Sequence, residues 1–256
     1  MNKLAMATVV ALAASSAWSM PGEIKTSTDR RKGDITWQRS TKSYVLTYKK
    51  GATDVQAQYP LDTVERLDID KPANFDKLVD MVGRGQGASA IGGLSKIVQD
   101  YRMLVWDKPA GRYLVEAYIA ANNAQKAYET AQAIISDDRD AAWKGDLAPA
   151  YWQALLKLGK NTQLENCLRK AATSGDRASA AEATVMRGDV ILATDGDTPD
   201  AHRKALAEAY LRVALMYPDE PCKAARATAM QKAAFSFDKL GMAARAEGMR
   251  TQAKTL

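Results

Sequence analysis

Histidine and cysteine are scarce in this sequence. His202 is the single histidine among 256 residues, and the two cysteines are Cys167 and Cys222. Zinc sites in proteins take three or four ligands, mostly from these residue types. The sequence therefore predicts no metal site. His202 stands beside Arg203 and Lys204 near a predicted helix start, and we interpret it as a surface histidine.

Recognisable catalytic motifs are also missing. The sequence contains no Gly-x-Ser-x-Gly elbow, no His-Glu-x-x-His and no Cys-x-x-Cys. Its glycine-rich stretch, Gly83–Ala88, follows a segment with helical spacing, whereas a dinucleotide site requires a strand there. We interpret this stretch as a turn between helices. No catalytic or cofactor-binding residue is predicted, and a hydrolase with unrecognised carboxylates is the least favoured alternative.

Long apolar runs are missing as well. The N-terminal run, Leu4–Ala14, follows Lys3 and is shorter than the roughly 20 residues that span a bilayer. Small residues and Pro21 come next, which is typical of a cleaved signal peptide over residues 1–19, with a cut after Ala17 as an alternative. No cysteine lies near this site. The sequence therefore predicts a soluble exported protein, periplasmic or secreted, that is neither lipid-anchored nor membrane-spanning.

Charge is unevenly distributed along a chain with 46% apolar and 26% charged residues and a net charge of +6. Between residues 25 and 50, eight basic residues accompany two acidic ones, and from 54 to 80 acidic residues dominate. One interpretation is two solvated faces of a small domain; the other is a patch for an anionic lipid, a glycan or an acidic protein. Nucleic acid is not expected as a partner of an exported protein. The candidate patch consists of Arg30, Arg31, Lys32, Lys49 and Lys50.

Short strand-like segments occupy residues 20–72. Asp34–Gln38 and Val55–Tyr59 alternate in polarity, and Tyr44–Tyr48 is rich in β-formers and runs into a turn at Gly51. Four or five strands at a spacing of about ten residues predict a small barrel or a meander. The order of these segments resembles the small SH3-like barrels attached to exported bacterial proteins. A plain curled sheet is the alternative.

Helical spacing replaces the strand pattern after Pro72. Asp146, and Thr198 before a proline, predict helix starts. Thr162 and Glu165 fit a capping box. One predicted helix face is formed by Leu147, Tyr151, Ala154, Leu155 and Leu158. The rest of the chain is therefore predicted to be helical.

The predicted helices come in pairs joined by short turns. Residues 112–136 and 148–175 each form such a pair, and residues 205–218 end on a proline. These stretches resemble tetratricopeptide repeats, although no unit carries the full Trp-Leu-Gly-Tyr set. The resemblance implies an α-solenoid of roughly five units over residues 73–256, at about 34 residues each. The phrase from Tyr210 to Pro221 is similar to repeats in envelope-assembly proteins of double-membraned bacteria.

The repeat resemblance also implies a function. The fold class is then mainly α, a tetratricopeptide-like solenoid behind a small β module, and the protein is expected to be an adaptor or scaffold without enzyme activity. Its partner would be another cell-envelope protein or a peptide segment, bound on the inner face that the first helix of each pair forms. Anionic envelope polymer, bound through the basic β module, is the alternative. The candidate binding residues on this inner face are Arg112, Glu116, Gln153, Lys157, Gln231 and Lys239. The alternative interpretation is that these residues belong to an ordinary solvent-exposed surface.

If the helices follow the tetratricopeptide pattern, the two cysteines lie on helices that are not neighbours. Cys167 falls on the second helix of one pair, and Cys222 starts a helix two pairs later. Packed helices lie about 8–10 Å apart, whereas the Cα atoms of a disulfide lie within about 7 Å. Both thiols are therefore predicted to be free.

Overall fold

A computed structural model of the protein describes residues 19–256. The predicted signal peptide, apart from its last residue, lies outside the described residues. The described chain is mainly α-helical, as the sequence predicts, with one antiparallel sheet near its N-terminal end. It divides into two compact units, one that extends to Arg139 and one over Asp140–Leu256.

Five strands form the sheet of the first unit. Their spatial order is β4-β3-β2-β1-β5, and every neighbouring pair is antiparallel. The predicted turn between β3 and β4 is confirmed, with Gly51 at a φ of 66°. A 3-10 turn over Leu61–Thr63 connects β4 to β5. The strands are β1 (Met20–Thr26), β2 (Arg30–Gln38), β3 (Ser43–Lys50), β4 (Thr53–Pro60) and β5 (Val64–Ile69).

The apolar face of the sheet is covered by a loop from the helical part of the chain. Ile35 and Leu46 are fully buried together with Leu104, which lies in the loop after residue 100 and is 1% exposed. The Tyr44 hydroxyl donates a hydrogen bond to the carbonyl of Met103 at 3.1 Å. The sheet and this loop therefore share one hydrophobic core.

Four helices follow the sheet in the part of the first unit that the structure describes. α1 packs against α2 and α3, and α3 packs against α2 and α4. The turn predicted at Gly83–Ala88 joins α1 to α2, as expected from the helical spacing before it. The helices are α1 (Phe75–Gly83), α2 (Gly87–Asp100), α3 (Asp107–Ala120) and α4 (Ala124–Ile135).

The second unit contains helices only. α5 packs against α6 and α7, α7 packs against α10, and α10 packs against α11. A π-helical turn over Leu206–Tyr210 joins α8 and α9 into one continuous helix. The helices are α5 (Leu147–Lys157), α6 (Asn161–Thr173), α7 (Arg177–Asp195), α8 (Pro199–Ala205), α9 (Leu211–Met216), α10 (Lys223–Lys239) and α11 (Ala243–Thr255).

The predicted helix starts have different outcomes. Thr198 caps α8, because its hydroxyl accepts a hydrogen bond from the amide of Ala201 at 3.2 Å. The capping box at Thr162 is wrong, because α6 begins at Asn161. The turn after α5 closes early, with the amide of Lys160 bonded to the carbonyl of Leu155 at 2.9 Å, so Thr162 is already inside α6.

None of the helices in residues 19–256 combines the length and the apolar character that a bilayer crossing requires.

Both cysteines are free and buried in the second unit. Cys167 lies within α6, and Cys222 immediately precedes α10. Burial raises the pKa of the Cys167 thiol to about 11. Because the thiolate is the reactive form, both burial and protonation protect this side chain.

We expect the native protein to be inert toward a thiol reagent such as Ellman's reagent at about pH 8. Unfolding in guanidinium should release both thiols, since the chain contains two cysteines. Absorbance of the released chromophore measures both values on the same sample. Rapid labelling of the native protein, or no thiol after unfolding, would contradict the buried free thiols.

Candidate functional site

A groove between α7 and α10 is a concave site in the second unit. Its cavity is about 370 Å³, near the lower end of the range for ligand pockets. We call it the α7–α10 groove. It is lined by Asp189, Leu192, Tyr210, Thr228, Gln231, Lys232 and Phe235.

Tyr210, Asp189 and Lys232 form a hydrogen-bonded ionic cluster on the floor of the α7–α10 groove. Tyr210 is 1% exposed, and its hydroxyl donates a hydrogen bond to Oδ1 of Asp189 at 2.8 Å. Lys232 contacts both oxygens of the same carboxylate, at 2.8 and 2.9 Å. Burial and the Asp189 carboxylate raise the pKa of Tyr210, so its hydroxyl stays protonated and keeps donating. The floor charges therefore neutralise each other.

Local backbone features bring Tyr210 to this floor. Tyr210 ends the π turn, which adds one residue to a helical turn and reorients the side chains that follow. Gly188 lies directly opposite, and a Cβ at that position would be 2.4 Å from the Tyr210 ring. The phenol can therefore pass close to α7 and reach Asp189, the residue after this glycine.

Phe235 stands exposed at the rim of the groove. Its side chain is 51% exposed, although α10 buries many of its other apolar residues. The Lys239 ammonium lies 5.4 Å from the ring centroid, a cation–π arrangement. The His202 and Phe235 rings form an edge-type contact with a centroid distance of 5.9 Å and an interplanar angle of 64°. Two neighbours thus contact the ring, while about half of the Phe235 side chain remains exposed to a ligand.

A hydrogen-bonded cluster supports this rim. Asp197 accepts from Nζ of Lys239 at 2.6 Å and contacts Nε2 of His202 at 2.6 Å. Lys239 and His202 together hold the pKa of Asp197 below its usual value. Nδ1 of His202 lies 3.1 Å from Oγ of Ser236, which is completely buried. The cluster therefore ties the loop before α8 to α10 and offers a substrate no access to Ser236.

The surface assignment of His202 is wrong, because the side chain is 2% exposed. It lies on the face of α8 that packs against α10. The sequence carries a signal for this position: His202, Ala205, Leu206 and Ala209 follow the spacing of one helix face, which is buried throughout. The neighbouring basic residues masked that pattern.

The six inner-face candidates are divided between the units. Gln231 lines the α7–α10 groove, and Lys239 lies over the Phe235 ring at its rim. Gln153 and Lys157 are exposed on α5. In the first unit, Arg112 and Glu116 form an ion pair with each other on α3, with Nε 2.9 Å from Oε1.

Of the seven residues that line the groove, sequence reasoning singled out only Tyr210 and Gln231. It missed Asp189, Leu192, Thr228, Lys232 and Phe235. The spacing of Leu206, Tyr210 and Val213 predicts one apolar helix face, which agrees with the buried ring of Tyr210 but says nothing of its hydroxyl. Only Phe235 could have been recognised from the sequence. It is an aromatic residue outside the buried face of its own helix, and such a residue often contacts another partner. The Asp189–Lys232 pair joins positions 43 residues apart and has no local signature.

Three of the five basic candidates of the sheet line a cavity of about 760 Å³, together with acidic residues. Arg30, Lys32 and Lys49 line it, whereas Arg31 binds Asp29 at 2.6 Å and Lys50 is exposed at the hairpin end. Arg30 is also ion-paired with Glu23, which is 8% exposed at its side chain. The cavity is therefore mixed in charge. Its acidic lining residues are Glu23, Asp34, Asp54, Asp68 and Asp70.

Comparison of the chain with protein-family models, with curated proteins and with solved structures finds no match. Within residues 19–256, no group of three or more His, Cys, Asp or Glu side chains is arranged to hold a metal ion. The α7–α10 groove combines an exposed ring, an exposed amide and internally neutralised charges.

Proposed function

We propose that the protein is an exported adaptor without enzyme activity, which binds an extended segment of another cell-envelope protein in the α7–α10 groove. The observation that carries the proposal is the 51% exposed ring of Phe235, held between Lys239 and His202 at the edge of a groove. Aromatic anchors of this kind dominate the energetics of protein interfaces. The signal peptide that the sequence predicts for residues 1–19 supports an envelope partner.

We also propose that the helices form a tetratricopeptide-like solenoid. Alternate helices pack on each other where such a fold requires it: α1 on α3, α5 on α7, and α7 on α10. The first helix of each pair would then line the inner face. α7 and α10 are two of these first helices, so the groove between them belongs to the predicted binding face.

For the sheet we propose an SH3-like module. Its strand order β4-β3-β2-β1-β5 and the 3-10 turn between β4 and β5 support this proposal. The mixed charge of its cavity gives less support to the alternative function, binding of an anionic polymer, than a uniformly basic surface would.

Binding in the groove would follow from the properties of its wall. An apolar side chain of the partner packs on Phe235 and Leu192, and this burial provides most of the affinity. The exposed Gln231 amide offers both a donor and an acceptor to the backbone of an extended segment. Because Asp189 and Lys232 already neutralise each other, binding depends only weakly on salt.

A photo-crosslinker in place of Phe235 tests this function. We expect p-benzoylphenylalanine at this position to give one discrete adduct in intact cells, because the ring would contact the bound segment directly. Gln231→Ala should reduce the yield of that adduct, and raised salt should not. Gel shift and mass spectrometry of the adduct provide the readout.

Leu215 provides the matched control. It is an apolar helix residue that is 72% exposed and does not line the groove. The same crosslinker there should give no discrete adduct. Identical adducts from both positions, or none from position 235, would contradict binding in the groove.

A further inference from the structure

The sheet of the first unit ends in two edge strands, β5 and β4, and the β5 edge is protected in several ways. Its pairing with β1 is interrupted by a register shift. Three of its six residues are charged, and the carbonyl of its last residue, Ile69, accepts a hydrogen bond from the Trp106 indole. Irregular pairing, charge and cover of this kind keep an edge from adding another strand.

The β4 strand has few of these protections. It pairs with β3 along its whole length without a register shift, and Asp54 is its only charged residue. Pro60 removes an N–H only at its last position. Within residues 19–256, no strand pairs with the other side of β4, which we call the β4 edge. It is therefore a regular, weakly charged edge that a further strand can join.

The backbone of β4 presents a defined set of outward groups. Gly51 opens a two-residue turn, so Thr53, directly after the turn, is hydrogen-bonded to β3. Hydrogen-bonded and non-hydrogen-bonded pairs then alternate along the ladder. The amide of Leu61 bonds to the carbonyl of Lys42 at 3.1 Å, which continues the same alternation past the end of β4. The N–H and C=O groups that point away from β3 therefore belong to Asp54, Gln56 and Gln58, whose side chains are exposed.

These three residues are complementary to a second copy of themselves. When two β4 strands pair antiparallel around a twofold axis at Gln56, Asp54 of each strand lies opposite Gln58 of the other. The Gln58 amide has two N–H groups, and its bond to Ser43 uses one of them. The other can donate to the opposite carboxylate, so no like charges meet. Three hydrogen-bonded backbone pairs of two bonds each connect the strands in this register.

Other twofold registers of the β4 edge are less favourable. An axis at Asp54 would bring two carboxylates directly opposite each other, which is destabilising. An axis at Gln58 would place Pro60, which has no N–H, opposite Gln56. Only the axis at Gln56 uses all three outward N–H groups and separates the two carboxylates. The edge therefore specifies one register for its own copy.

We propose that the protein forms a twofold dimer, in which the β4 edges of two copies pair antiparallel around Gln56 and join their sheets into one continuous sheet. This inference does not rest on the adaptor function. Most of the contacts are backbone hydrogen bonds between neutral groups. Dimerisation therefore depends only weakly on salt.

Sedimentation velocity of the chain without residues 1–19, from about 1 to 200 µM, tests the proposal. We expect the sedimentation coefficient to rise with concentration from that of a monomer to that of a dimer. Gln56→Lys and Gln56→Glu should each weaken dimerisation several-fold, because like charges then meet at the axis. An equimolar mixture of the two variants should restore it, because lysine then faces glutamate. Circular dichroism and thermal melting verify that each variant is folded.

A disulfide at the axis tests the register itself. The two copies of position 56 would have Cα atoms about 5.5 Å apart, which is within reach of a disulfide. Oxidised Gln56→Cys should therefore run as a covalent dimer on a non-reducing gel. Gln58→Cys is the matched control, because its two copies would be offset by four residues, roughly 13 Å along the strands. The native cysteines are buried and should not crosslink.

Four outcomes would overturn the proposal. The first is a chain that stays monomeric up to about 200 µM. The second is a dimer that neither charged variant at position 56 weakens. The third is a mixture of these two variants that associates no better than each alone. The fourth is equal crosslinking through positions 56 and 58, which would indicate random collisions or another register.

Discussion

Residues 20–72 produced without the helices are expected to lack a cooperative fold, although the strands β1 to β5 lie within them. The reason is that their apolar face is covered by Met103 and Leu104, which are 7% and 1% exposed in the core of the sheet. The Trp106 indole additionally donates to the carbonyl of Ile69 at 2.9 Å, at the end of the last strand. A chain of this size, with one open face, buries too little apolar surface to fold alone.

Spectroscopy on two fragments checks this expectation. Residues 20–72 should give the narrow amide dispersion of an unfolded chain, while residues 20–139 should give a dispersed spectrum and a cooperative urea transition. In the longer fragment, Leu104→Ala should lower the free energy of unfolding by about 2–5 kcal/mol. A well-dispersed spectrum from residues 20–72 would show that the sheet needs no cover.

Gly188→Ala is expected to destabilise the second unit by about 2–3 kcal/mol, a large effect for one methyl group. The added Cβ would lie 2.4 Å from one ring atom of Tyr210 and 3.0 Å from Cβ of Ala209. Tyr210 has no room to retreat, because its hydroxyl is bonded to Asp189 and its ring is buried. The substitution therefore separates α7 from the π turn and breaks the groove floor.

Gly248→Ala is the matched control in the same unit. Gly248 lies inside α11, and beyond the adjacent backbone of that helix no atom lies within 4 Å of an added Cβ. Alanine there should stabilise the protein by roughly 0.5–1 kcal/mol through its higher helix propensity. Urea unfolding of both variants measures the two free energies. Equal effects of the two substitutions would mean that Tyr210 does not press against α7.

Much of the secondary structure could be predicted from the sequence, because it depends on residues that are close together along the chain. Alternating polarity around Ile35 and the glycine at Gly51 predict β2 and the β3–β4 turn, and the helical spacing after Pro72 predicts the change of secondary structure. The cover on the sheet was not predictable in this way. Met103 and Leu104 look like part of a short interhelical loop, and only the tertiary structure places them against Ile35.

The candidate site could be predicted only in part, because several of its contacts join residues that are far apart in the sequence. Matching the repeat frame selects Gln231 and Lys239, because helix phase determines which residues share a face. The repeat pattern assumes regular α-helices. The π turn changes the direction in which the following side chains point, and this change brings Tyr210 to Asp189.

The late position of the sheet's cover also affects the order of folding. A chain that emerges from its N-terminal end, from the ribosome or across a membrane, presents β1 to β5 well before Met103 and Leu104 follow. During that interval the strands expose an apolar face and unpaired edges, which are the features that promote aggregation. A holdase that protects the chain until α3 has emerged would therefore raise the yield of folded protein, and slower delivery of residues 70–110 would lower it.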